Sequence, residues 1–178
     1  MRIAMAGNGA FANKHLDALA RIDGAEVVTI IGREGDEAAL AEAAEKHAIP
    51  DTTTDFDSVL AREDVDAFIL TTPTQMHAAQ SIACLDAGKH VMTEIPMADN
   101  LADSEALVAK QRETGLVAMV DHTRRFNPSH QWLHKQFANG DLQLQHLVVE
   151  TYFFRRTNTN ALGEPRCWTD HLLWHHAC

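Results

Sequence analysis

The sequence predicts an α/β fold: a doubly wound parallel sheet followed by the incomplete start of a second α/β domain. Three observations carry this. Short apolar runs alternate with helix-spaced segments as far as Val120. The first run ends abruptly in Gly7-Asn8-Gly9-Ala10-Phe11-Ala12. From His122 the composition turns polar and turn-forming, then rich in Arg, His and Trp.

Ile3–Ala6 is the first strand, and its glycine turn has the spacing G-x-G-x-x-A. That spacing suits a dinucleotide site: the first glycine makes a tight turn, and the second lets backbone approach a pyrophosphate. Gly7, Gly9, Ala10, Phe11 and Ala12 are therefore the candidate pyrophosphate cradle of a Rossmann domain, at the positive end of the following helix. An ordinary glycine turn is the competing reading. Phe11, His15, Leu19 and Ile22 repeat at helical spacing, which predicts the first helix and its buried stripe.

Glu26–Ile31 reads as the second strand, ending in Gly32-Arg33, and alanine-rich Asp36–His47 as the second helix. No acid precedes Arg33, which favours NADP, because a guanidinium accommodates a 2′-phosphate. If Glu34 or Asp36 turned back toward the ribose, NAD would be preferred. Pro50–Thr54 is an extended link, and Asp55–Arg62 a short helix capped by Asp55 or Thr54. Asp66–Leu70 is the next strand, ending in Thr71-Thr72-Pro73-Thr74; a helix from Gln75 to Ala87 stops at Gly88. His90–Thr93 is a strand before Glu94-Ile95-Pro96. Asn100 or Asp103 caps a helix to Thr114, Gly115 ends it, and Leu116–Val120 is the last strand of the set. Ligands of such sheets sit beyond the carboxyl ends of the strands, so Thr72, Pro73 and Thr74 join the cofactor-side candidates. Past His122, Pro128 opens a helix to Asn139-Gly140, and Leu144–Phe154 reads as one long strand. Trp168–Cys178 resumes helical spacing. The expected domains are 1–121, dinucleotide-binding, and 122–178, the first part of a substrate domain.

Composition narrows the function classes. The formal net charge of −10 argues against a general nucleic-acid binder. No apolar run approaches the ~20 residues that span a bilayer, and Met1 leads straight into a strand, which leaves no room for a signal peptide. Cys84, Cys167 and Cys178 are odd in number, far apart and without a C-x-x-C, which points to a reducing cytoplasm.

The motifs Gly7–Ala12, Thr71–His77, Glu94-Ile95-Pro96 and Arg124-Arg125-Phe126 stand in an order that resembles the glucose–fructose oxidoreductase, inositol dehydrogenase and rhizopine-catabolism (Gfo/Idh/MocA) superfamily. The later segments, HTRRFNPSHQ, TYFFRR and GEPRCWTDHLLWHHA, are similar to a subgroup of dehydrogenases for a carboxylated semialdehyde. The resemblance implies a chain truncated within its second domain, a homo-oligomer when full length, and a cis bond before Pro96. It also places His77 and Glu94 on the nicotinamide-ribose side and Asn127 at a polar substrate contact. Two departures stand out. The superfamily's proton-moving lysine of Glu-Lys-Pro is Ile95 here. Its Asp-x-x-x-His pair is replaced, with His175 at the Asp position.

The implied substrate is a small carboxylated aldehyde. Carboxylates are held well by guanidinium forks, and Arg124, Arg125, Arg155, Arg156 and Arg166 are the candidates, Arg124 foremost because it follows a strand's carboxyl end. If the substrate's enol oxygen closes a ring, the hemiacetal is a secondary alcohol, and oxidation by NADP gives a lactone. That step needs a base working near neutrality, which suits histidine: His175 first by position, then His171 and His122. A cysteine route is the weaker one, since Cys84 lies in an apolar-patterned helix and Cys167 has no evident activating partner. His171 and His175 have metal-ligand spacing, but no carboxylate completes the set, so no metal is expected. A sugar or polyol dehydrogenase and a non-catalytic NADP-sensing protein are the rival readings.

Overall fold

In the computed structural model the described residues are 1–146, 148, 150, 159 and 165. The chain divides into two compact units, Met1–Val120 and Asp121–Cys178.

Strands β1 (Arg2–Ala6), β2 (Glu26–Ile31), β3 (Thr52–Thr53), β4 (Ala67–Leu70), β5 (His90–Glu94) and β6 (Ala118–Asp121) form one sheet. Helices α1 (Ala10–Leu19), α2 (Glu37–His47), α3 (Phe56–Leu60), α4 (Thr74–Asp86) and α5 (Leu101–Thr114) connect them. The strand order is β3-β2-β1-β4-β5-β6, the doubly wound order with its switch point at β1. β1 pairs in parallel with both β2 and β4, and β2–β3 and β4–β5 are parallel as well.

Alternation along β1 explains the two cores. Ile3 and Met5 pack on one face with Ala12, Leu16 and Leu40. Ala4 and Ala6 pack on the other with Phe68, Cys84, Leu85 and Leu107. A parallel strand covered on both faces reads as a continuous apolar run, and β1 and β4 do so. Local signals end the helices as expected: Asp55 Oδ1 accepts from Ser58 N at α3, Asn100 Oδ1 accepts from Asp103 N at α5, and Gly115 closes α5 at φ +67°.

Two expectations need correction. Phe11 and Ile22 do not line the buried stripe of the first helix; they are 58% and 55% exposed, and Ala12 and Leu16 are buried instead. The inward face is shifted by one residue because the fingerprint requires a small residue at Ala12 against the sheet. The strand expected over Leu144–Phe154 lies largely outside the described residues, and those described (144–146, 148 and 150) carry no strand. The helix expected over Trp168–Cys178 lies outside them altogether. In the second unit a 3₁₀ turn, Thr123–Phe126, precedes α6 (Pro128–Ala138). No helix among the described residues is long and apolar enough to cross a membrane.

Phe68 is fully buried, its ring centroid 5.4 Å from that of Phe56. Thr29 is fully buried too, and its hydroxyl has no hydrogen-bond partner among the described residues. In urea unfolding, Phe68→Ala is expected to cost about 3–5 kcal/mol, whereas Thr29→Val, which removes an unsatisfied hydroxyl at nearly constant shape, is expected to gain about 1 kcal/mol.

At the opposite end of the sheet from the glycine turn, Asp64 accepts from Arg62 Nε and Nη2 and from Arg2 Nη2, each at 2.9 Å. The Arg62 hydrogen bonds first, then Arg2, hold this carboxyl well below the usual range. Such a group stabilises the fold above about pH 4, and that contribution disappears as pH falls through its lower folded value. Thermal melts between about pH 2 and pH 6 should therefore show the Asp64→Asn variant less stable than the unaltered protein at the upper end, with the gap closing in acid.

Candidate functional site

Parallel pairing sends the carboxyl ends of β1, β2, β4 and β5 to one edge of the sheet. That edge gathers Gly7–Ala12, Arg33, Thr72–Thr74 and Glu94, with His77 one turn into α4.

The two fingerprint glycines are present for different reasons. Gly7 has φ +108°, and a Cβ there would lie 2.3 Å from Thr71 Oγ1. Close approach inside the protein therefore requires it. Gly9 has φ −74°, and a Cβ there would meet nothing within 4 Å. Among the described residues no atom excludes a side chain at Gly9; the open space lies beside the N-terminus of α1. That terminus has neither a side-chain cap nor an acidic residue in its first turn. The N–H groups of Ala10, Phe11 and Ala12 have no acceptor within the helix. Open space beside an unneutralised helix N-terminus is where a pyrophosphate fits. Phe11 itself turns outward, with Lys14 Nζ 5.1 Å from its ring centroid, so its contribution to the cradle is its backbone.

At the end of β2 a Cβ on Gly32 would lie 2.8 Å from Leu40 Cδ1, so this turn packs directly on α2. Arg33 is exposed and its Nε donates to Asp36 Oδ2 at 3.1 Å. The acid that could have turned toward a ribose is thus held by the arginine, and Glu34 is exposed.

On the other side of β1, Thr71 Oγ1 donates to Ala6 O at 3.0 Å and Thr72 Oγ1 donates to Gln80 Oε1 at 2.6 Å. Thr72, Pro73 and Thr74 are half-buried. His77 is 1% exposed, and its ring nitrogens lie 2.8 Å from Pro96 O and 2.7 Å from Thr72 O. Both nitrogens are engaged by backbone, so neither is available to a ribose. The Ile95–Pro96 bond is cis. Glu94 Oε1 lies 2.8 Å from His15 Nε2, and both side chains are mostly buried. Reading the sequence placed His15 only in a helical stripe. The signal available was a histidine one turn past the fingerprint, but its partner is 79 residues away.

Cys84 is fully buried, and burial pushes its thiol up to about 12. It cannot supply a thiolate near neutral pH.

In the second unit, His122 is half-buried and Arg124 and Arg125 are exposed. Arg124 O accepts from His130 Nδ1 at 3.1 Å. Asn127 caps α6: its Oδ1 accepts from Ser129 N at 3.0 Å and from Ser129 Oγ at 2.6 Å. Arg155, Arg156, Arg166, His171 and His175 lie outside the described residues.

Comparison with known proteins matches this geometry. The model of an oxidoreductase family with an NAD-binding Rossmann fold matches residues 1–122, and that of the C-terminal part of bacterial oxidoreductases matches residues 128–178. A 4-carboxy-2-hydroxymuconate-6-semialdehyde dehydrogenase from a Sphingobium species is 62% identical over 177 residues, covering 99% of this chain and 56% of the relative. An inositol 2-dehydrogenase from Rhodococcus erythropolis is 34% identical over 148 residues, covering 80% of this chain and 41% of the relative. Among solved structures, a probable dehydrogenase from Thermotoga maritima superposes with a TM-score of 0.73 at 28% identity, over 79% of this chain and 41% of that one. The chain spans about half the length of the curated relatives it matches.

The glycines separate folding from binding. Gly9→Ala is expected to cost at most about 1 kcal/mol, as an N-cap change, yet to weaken NADPH binding at least about tenfold by filling the approach to the helix N-terminus. Gly7→Ala should unfold at clearly lower urea. Fluorescence titration beside urea melts checks both.

Proposed function

The chain belongs to the oxidoreductase family with an NAD-binding Rossmann fold, and on that premise we propose that it is the nucleotide-binding part of an NADP-dependent semialdehyde dehydrogenase. The reaction is oxidation of 4-carboxy-2-hydroxymuconate-6-semialdehyde, as its cyclic hemiacetal, to 2-pyrone-4,6-dicarboxylate. One observation carries this reading: 62% identity, across nearly the whole chain, to a relative with that activity in its name.

The backbone of Gly7, Gly9 and the first turn of α1 would hold the pyrophosphate, and Arg33 the 2′-phosphate. Thr72, Pro73, Thr74 and the Glu94 loop would receive the nicotinamide side. When bound, NADP supplies the hydride acceptor.

The chain's own residues have two further tasks. Arg124, Arg155, Arg156 and Arg166 would supply guanidinium forks that orient a dicarboxylate, and Asn127 a further polar contact. A histidine, His175 first and His171 or His122 next, takes the hydroxyl proton of the hemiacetal as its carbon loses hydride. Where the resemblance implies a proton-carrying lysine this chain has Ile95, which leaves that work to histidine. The substrate's own enol oxygen closes the ring, so no protein nucleophile is required. Homo-oligomer formation and a cytoplasmic location complete the reading.

The test mixes protein, the freshly made ring-fission product of protocatechuate 4,5-cleavage, and either NADP⁺ or NAD⁺. NADPH absorbance should rise, faster with NADP⁺ than NADH does with NAD⁺. Arg33→Ala should narrow that preference about ten- to a hundredfold, the worth of one charged hydrogen-bonding partner. NADPH binding without turnover of any carboxylated aldehyde would transfer the assignment to a nucleotide-sensing protein.

A further inference from the structure

His77 presents a counting problem. Its ring is buried, and each nitrogen faces a carbonyl oxygen: Nδ1 at 2.8 Å from Pro96 O, Nε2 at 2.7 Å from Thr72 O. A carbonyl oxygen only accepts. A neutral imidazole has one N–H and one lone pair, so it can satisfy one of the two and must turn a lone pair on the other. The ring donates to both carbonyls only when both nitrogens carry a proton.

The two carbonyls belong to different loops. Thr72 follows β4 and Pro96 follows β5. Those strands form the half of the sheet across β1 from β2, where a dinucleotide's second mononucleotide is held. We propose that His77 is a positioning residue: its doubly protonated ring staples the Thr72 and Pro96 carbonyls and sets the spacing of the loops that receive the nicotinamide half of the cofactor. The role rests on the NADP reading above.

Charged groups on the elements packed against α4 are engaged or exposed. β4 carries no titratable residue. Glu94 of β5 is paired with His15, and His90 accepts from Val117 N at the far end of that strand. On α5, Lys110 is paired with Asp86 and Glu113, Asp103 accepts from Asn100, and Glu105 and Arg112 are exposed.

Nitrogen NMR of the histidine side chains reads the ring directly, in the unaltered protein, so no variant has to fold. Two slowly exchanging N–H protons on His77 are expected; a single N–H overturns the staple. The positioning role is read by affinity. His77→Gln, whose amide donates at one end and accepts at the other, should weaken NADPH about tenfold, the worth of one hydrogen bond, while 2′-phospho-ADP-ribose, which lacks nicotinamide, binds unchanged. Equal loss for both ligands, or loss for neither, overturns the positioning role. Failure of the unaltered protein to bind either ligand overturns the NADP reading and the positioning role with it, while the NMR result still decides the staple.

Discussion

The turn that ends β1 has room for hydrogen and nothing larger. A Cβ on Gly7 would lie 2.3 Å from Thr71 Oγ1, and the same few atoms are held by backbone. Gly7 N donates to Ile31 O at 2.8 Å, and Thr71 N donates to Ala6 O at 2.8 Å. The end of β1 is therefore clamped between β2 and β4 where the loops emerge. Because β1 is the switch point of the sheet, this contact sets the crevice between its halves. A bulkier turn would splay β4 from β1 and move Thr72–Thr74 away from α1.

From that clamp follows a division of labour. The α1 side of the crevice is almost wholly backbone: an uncapped helix N-terminus with open space beside Gly9. A helix N-terminus holds an anion through N–H groups and its positive end, which side chains would obstruct. The β4–β5 side is built from side chains that hold one another or the backbone, Thr72 on Gln80, His15 with Glu94, and His77 between two carbonyls. Buried polar groups of this kind are costly unless satisfied, and satisfied networks hold one geometry.

The second unit differs in composition. Its described part is a 3₁₀ turn and one helix, begun by Asn127 and Pro128. Arginines and histidines are concentrated in this part of the chain, in contrast to a protein that is acidic overall.

The order of strands and helices was legible from residue pattern alone, as was the glycine turn after β1, while each cap was narrowed to two residues, of which Asp55 and Asn100 serve. Each depends on neighbours within a few positions: apolar period, a capping oxygen, a glycine where φ is positive. The rest required packing. That Ala12 and Leu16, not Phe11 and Ile22, face the core depends on how α1 lies on the sheet. The His15–Glu94 pair spans 79 residues and the His77–Pro96 contact 19, and no local pattern encodes such distances. Asn127 showed a polar side chain whose use as a cap only the coordinates settled. The chain by itself determined which elements exist, because their causes are local. Only the tertiary structure decided which polar groups meet, because that depends on the stacking of β1, β4 and β5 and on the helices laid across them.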